Sequence, residues 1–248
     1  MNLQPNKKII YQDIGLIDYR TAWDEQEKLF QEIISIKTEN RKMEQESLPN
    51  QPKTTKNYLL FCEHTPVFTL GKSGKMNHLL ASTELLNEKR ISFFQTNRGG
   101  DITFHGQEQI VGYPILDLEN FFTDIGKYMR CLEEVIIKTL AEYGLQGDRI
   151  KGETGVWLDV NTSRARKICA MGVRCSRWVT MHGWAFNINT DLSYFDLIVP
   201  CGITNKGVTS LQQELGRKIE LHEVKEKLLF HFVNIFEAQI EKQILSEA

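Results

Sequence analysis

Apolar residues recur at helical spacing in three stretches of the chain. From Tyr19 to about Glu39 they are Trp23, Leu29, Phe30, Ile33, Ile34 and Ile36, which predicts a helix with one buried face. A second helix is capped by Asp124 and runs to Tyr143, with Met129, Leu132, Val135, Ile136 and Leu140 on its stripe and Gly144 as its stop. A final helix is predicted over 222–243, with Val224, Leu228, Leu229, Phe232, Ile235 and Phe236 inward. Thr83 is a candidate cap for a short helix over 84–89. Short apolar runs between turn formers predict strands at 9–15, 57–62, 66–70, 91–97, 155–159, 167–173 and 183–189. Segments 102–105 and 110–116 read as the two arms of a hairpin, with Gly112 marking a bulge or a close backbone approach. The stretch 41–56, with Pro49 and Pro52, reads as a flexible excursion and not as a domain boundary.

No repeat or linker divides the pattern, and helices are interspersed irregularly among strands. The expectation is a single α+β domain spanning 1–248, with a mixed β-sheet core flanked by helices. An apolar content of 41% and a charged content of 25% are those of a globular chain that buries a core. A net charge of −2 argues against a general nucleic-acid binder. No apolar run is long enough to span a bilayer, and the first residues lack a signal-peptide core, so a cytoplasmic protein is expected. The cysteines are Cys62, Cys131, Cys169, Cys175 and Cys201, with no C-x-x-C pair, so neither a zinc site nor a disulfide framework is expected.

Three stretches carry candidate chemistry. Lys167 and Cys201 suggest acyl transfer through a thioester, since an ammonium favours the thiolate. Against that stands the ordinary reading of a packed thiol and a solvated lysine. Pro200 and Gly202 flank Cys201 and would present a thiol accurately. Strand alternation puts Cys169 on the face of Lys167 and makes it a rival nucleophile. The run Arg98, Gly99, Gly100, Asp101, Ile102, Thr103, Phe104, His105 permits close backbone approach to a ligand, with a fixed charge at Arg98 and a titratable ring at His105. It also fits a plain turn followed by an exposed histidine. Gly183 and Ala185 would leave room for an apolar tail along a sheet face, or simply be small packing residues. Gly71-Lys-Ser-Gly74 has part of a phosphate-loop pattern but lacks its leading glycine.

Taken together these motifs resemble the lipoyl(octanoyl) transferases of lipoate biosynthesis. The matching segments are 63–71, 98–106, 111–115, 167–172, 182–187 and 199–202, in the family's order, over a core of about 11–215. Each is weak alone, and the set is specific. The resemblance implies the mixed-sheet fold of biotin and lipoate ligases. It implies Cys201 as the acyl-thioester nucleophile and Lys167 as its partner. It implies acyl contacts from Arg98 to His105, from Ala170, Met171 and Gly172, and from Gly183, Trp184 and Ala185. Gln107 and Glu108 depart from the Pro-Gly common after this His-Gly, and the 40–56 region is longer than usual.

The implied reaction takes octanoyl from octanoyl–acyl carrier protein onto Cys201. It then passes the group to a lysine of apo lipoyl domains, those of 2-oxoacid dehydrogenases and the glycine cleavage H protein. Neither ATP, metal nor cofactor is implied, because the thioester is already activated. Lys167 is the candidate base for the acceptor amine, provided a dry pocket lowers its pKa. Backbone N–H groups of Gly99, Gly100 or Gly202 are candidate oxyanion donors. Lys72, Lys75, Arg164, Arg166, Arg174 and Arg177 are candidates for a basic rim that steers acidic carriers. An ATP-dependent lipoate–protein ligase on the same fold and a non-catalytic carrier-binding module are the alternatives.

Overall fold

The computed structural model describes residues 4–46, 51–199 and 206–241. The strands are β1 (Lys8–Ile17), β2 (Tyr58–His64), β3 (Val67–Leu70), β4 (Ser92–Gln95), β5 (Ile102–His105), β6 (Gln109–Ile115), β7 (Val156–Leu158), β8 (Arg166–Ser176), β9 (Val179–Asn187), β10 (Gly207–Val208) and β11 (Gln239–Glu241). The helices are α1 (Tyr19–Gln45), α2 (Thr83–Glu88), α3 (Ile125–Ala141), α4 (Leu211–Leu215) and α5 (Leu221–Phe236). A mixed sheet runs in the order β10-β8-β9-β6-β2-β1-β11, with β7 also paired to β8, and a second sheet runs β4-β3-β5.

Period-two alternation splits the large sheet between two cores. Leu59 and Phe61 of β2, Ile110 of β6, and Trp184 and Phe186 of β9 pack with α3 and α5. Tyr58, Leu60 and Cys62, Val111 and Tyr113, and Met181 and Ala185 take the opposite face and meet Leu29, Phe30 and Ile33 of α1. The small sheet has its own core of Phe68, Leu70, Ile102 and Phe104, closed by Leu86, Ile91 and Ile198.

Several expectations are corrected. The predicted hairpin does not form: β5 pairs antiparallel with β3, whereas β6 pairs with β2 and β9. Gly112 does make a close approach, since a Cβ there would lie 2.2 Å from the Trp184 ring. The first helix continues to Gln45, well into the expected excursion. Asn40 then fixes the returning chain by accepting from Lys53 N and donating to Lys53 O. Buried Lys37 on the same helix is paired with Asp117 and Glu119. Ser82, not Thr83, caps α2 by accepting from Leu85 N. The last helix ends at Phe236, where Glu237 turns left-handed at φ 50°, and 239–241 pair with β1 as a strand. Its apolar positions continue through Ile240, so periodicity gave no sign of that stop.

Candidate active site

A cavity of about 450 Å³ opens on the α1 face of the large sheet. The small sheet and the glycine-rich run cover it. Arg98, Gly99, Gly100, Asp101, Ile102, Thr103 and His105 line it from that side. Lys167, Ala170, Met171, Gly172, Gly183, Trp184 and Ala185 line it from β8 and β9. Phe104 does not: it alternates away into the small sheet's core and stacks on Tyr194 at 4.4 Å. Trp184 borders the cavity, but its ring packs against Phe61 and Phe232 in the other core. Cys201, Pro200 and Gly202 lie outside the described residues.

Lys167 sits where β8 is shared, facing Trp157 of β7 on one side and Val208 of β10 on the other. It is 8% exposed, and its Nζ lies 4.6 Å from the centre of the Trp157 ring. Lys206 brings a second ammonium to the same ring at 5.3 Å and pairs with Glu153. Alternation alone would put Cys169 beside Lys167. The β7–β8 register shifts between them, with Val156 opposite Cys169 and Trp157 opposite Lys167. That bulge carries one extra residue, Ile168, and reverses the facing of everything before it. Lys167 therefore joins Ala170 and Gly172 on the cavity side, while Cys169 is fully buried in the α3–α5 core. Burial there holds the Cys169 thiol well above its ordinary pKa, which favours the protonated form over the thiolate.

The glycine-rich run is a clamped loop, not an open turn. Gly99 N donates to Val173 O at 2.9 Å, and Lys72 N and Ser73 N donate to Arg98 O and Gly100 O. A Cβ on Gly172 would stand 2.5 Å from Gly99 O, and one on Gly71 would stand 2.3 Å from Gly100 O. Glycine is required at both positions by backbone proximity. Arg98 is 7% exposed and is spent on the loop, donating to Thr69 O, Thr69 Oγ1, Asp101 O and Gly99 O. Its charge organises the wall. The Gly99 N–H is committed to Val173, which removes it from the candidate oxyanion donors.

The inner end of the cavity holds neutral imidazoles. His105 Nδ1 faces Gln109 Oε1 at 3.0 Å, and the Gln109 amide nitrogen is occupied by Phe104 O and Asn187 Oδ1. The ring therefore donates through Nδ1 and accepts the Thr69 hydroxyl through Nε2. Burial, followed by His64 and Arg98, holds its pKa well below the usual imidazole range. His105 is a fixed, neutral wall group, not the exposed titrating ring of the sequence reading. Burial also takes His64 down to about 4 and His182 down to about 3. His64 donates to Ile17 O and accepts from the Tyr113 hydroxyl at 2.7 Å. His182 donates through Nε2 to Asn97 Oδ1. His64, His105 and His182 come together with Tyr19 and Tyr113 from five separate elements, a grouping that the motifs taken singly did not show.

After His105, Glu108 adopts a left-handed φ of 60° and accepts from Asn189 and Lys218, so the Gln-Glu pair forms an ordered turn. Three of the six candidates for a basic rim are paired with carboxylates. Arg166 pairs with Asp159 and Glu214, Arg174 with Glu27, and Arg164 lies 3.8 Å from Asp159. Among the described residues, no cluster of His, Cys, Asp or Glu is arranged to hold a metal ion.

A mixed sheet thus frames a cavity with a lysine in its wall. The chain is a member of the lipoyl protein ligase A/B catalytic domain family, whose profile matches residues 18–233. It is 60% identical to an octanoyltransferase of Flavobacterium johnsoniae over 95% of this chain and 99% of that protein. It is 58% identical to an octanoyltransferase of Christiangramia forsetii over 96% of this chain and 100% of that one. Its fold matches a bipartite lipoate protein ligase of Thermoplasma acidophilum with a TM-score of 0.66 at 16% identity, covering 99% of this chain and 89% of that one.

Proposed function

We propose that the chain is an octanoyltransferase of lipoate biosynthesis that carries its acyl group on Cys201, with the whole chain acting as one catalytic domain. Its substrates are proteins. The donor is octanoyl–acyl carrier protein, and the acceptors are lysines of apo lipoyl domains, those of 2-oxoacid dehydrogenases and the glycine cleavage H protein. The observation that carries the reading is Lys167, a buried lysine in the wall of an apolar-floored cavity. Cys201 is five positions from Lys206, whose ammonium shares the Trp157 ring with that of Lys167.

In the first step the Cys201 thiol gives up its proton and attacks the thioester carbonyl as the thiolate, and the carrier sulfur leaves and takes up that proton as the free thiol. In the second, the acceptor amine attacks the acyl-enzyme, loses its proton and releases the thiol. At pH 7 only about one lysine in 10³–10⁴ is a free amine, so a base is required. Lys167 is assigned to it, and His64 and His105 are not, since both nitrogens of each ring are taken by partners. Gly100 N–H donates to nothing among the described residues and is the remaining described candidate for an oxyanion donor.

The test mixes the protein with octanoyl–acyl carrier protein and an apo lipoyl domain, with and without ATP. Transfer without ATP is expected. Transfer only from free octanoate with ATP would make the chain a ligase, and binding without transfer would make it a carrier-binding module.

A further inference from the structure

The cavity floor contains a row of residues that crosses the strands in register. Ala170 of β8 faces Ala185 of β9, and Ala185 faces Val111 of β6. The row continues to Cys62 of β2, which faces Val111 from the other side. Ala170, Ala185 and Val111 line the cavity, and Cys62 does not. Exposure falls along the same line: Ala170 is half-buried, Ala185 is 3% exposed and Val111 is 1% exposed. The cavity therefore deepens from the lysine-bearing strand toward β6 and stops at the first branched side chain.

We propose that Val111 is the end stop of the acyl slot and sets the chain length this enzyme accepts. The proposal rests on the octanoyl-transfer reading for the identity of the ligand, and its geometry is independent of it. Two strand-to-strand steps span about 10 Å. Beyond a carbonyl at the β8 end, an octanoyl chain has seven C–C bonds. Each bond of ~1.5 Å advances about 1.3 Å in an extended zigzag, or roughly 9 Å in all. The row and the chain agree in length. The neighbouring row offers no second channel, because Gly99 O occupies the space above Gly172 and Gly112 O the space above Gly183. Gly183 is thus small to admit β6, and the tail runs along the alanines instead. Tyr19 and Tyr113 close the far end beside Val111.

The chain-length profile of Val111→Ala tests this. Pantetheine thioesters of hexanoyl, octanoyl, decanoyl and dodecanoyl serve as donors, so that carrier docking plays no part. Removing two methyl groups opens the slot toward Cys62. The decanoyl-to-octanoyl ratio of kcat/KM should then rise roughly tenfold, about what two buried methylenes supply. Ala185→Val narrows the same row nearer the mouth and should move the preference toward hexanoyl. Calorimetric binding of the corresponding free acids gives the same profile without turnover. A folded Val111→Ala protein with the parental profile in both transfer and binding overturns the proposal. Should that variant fail to fold, an unchanged hexanoyl-to-octanoyl ratio in Ala185→Val overturns it equally. Binding that peaks at eight carbons and shifts with both variants, without transfer to any acceptor, supports the stop at Val111 and defeats the transferase reading alone.

Discussion

Acidification should unfold this protein earlier than its carboxylates alone would require. His64, His105 and His182 are buried and neutral, with pKa values of about 4, well below normal and about 3. In the unfolded chain each titrates near 6.5. Above that value both states are deprotonated and the histidines cost nothing. Below it the unfolded state binds protons that the folded state refuses, so stability falls with pH until each folded pKa is reached. Each ring contributes a slope of about 1.4 kcal/mol per pH unit, so His64 and His182 give roughly 3 kcal/mol per unit, and His105 acts in the same direction. Integrated from neutral pH to pH 5, the loss from His64 and His182 is about 4 kcal/mol, a large share of the 5–15 kcal/mol typical of a folded chain. Glu133 opposes this trend, because its burial raises its pKa. Exposed carboxylates with lowered pKa values, such as Glu142, contribute only below their ordinary range. Urea unfolding monitored by circular dichroism at half-unit steps from pH 7.5 to 5 measures the slope. His64→Gln keeps a donor for Ile17 O and an acceptor for Tyr113, and should reduce the slope by one proton. A slope below one proton between pH 6 and 5, or no change in the variant, would refute neutral burial of these rings.

Other outcomes follow from the site and its supports. Cys201→Ala should show no mass change with octanoyl–acyl carrier protein, whereas Lys167→Ala should acylate slowly at pH 7, faster toward pH 9, and accumulate a hydroxylamine-sensitive adduct if Lys167 is the second-step base. Intact-mass measurement reads both, and acylation of Cys201→Ala at any pH removes that cysteine from the mechanism. Gly172→Ala places a Cβ 2.5 Å from Gly99 O, so the clamped loop must move. Its urea midpoint should fall by the equivalent of about 1–3 kcal/mol, and transfer should drop on the order of 10²-fold; unchanged kinetics would show the loop does not position substrate. Lys37→Met leaves Asp117 buried without its cation and should lower stability by about 3–5 kcal/mol in the same urea assay. A midpoint within error of the parent would mean the Asp117 carboxylate is satisfied by the Thr55 hydroxyl and the Glu119 N–H alone.

The sequence by itself determined the fold class, the three long helices, most strands of the large sheet and the residues that gather at the cavity. These features rest on local signals: apolar periodicity, caps, and short motifs that keep their order along the chain. Tertiary structure alone decided which way the residues face. One bulge residue, Ile168, turns Lys167 into the cavity and sends Cys169 to the opposite core, and strand alternation cannot anticipate an inserted residue. The tight β8–β9 turn was equally hidden, because Arg177 and Trp178 both take left-handed φ values with no glycine or asparagine to announce it. The neighbours of 102–105 depended on pairing with β3, more than thirty residues earlier in the chain, instead of with the adjacent strand. Arg98 and His105 were legible as site residues, yet their roles were not. Burial converts the one into a clamp for a backbone loop and the other into a fixed neutral ring, and burial is a property of everything packed around a residue.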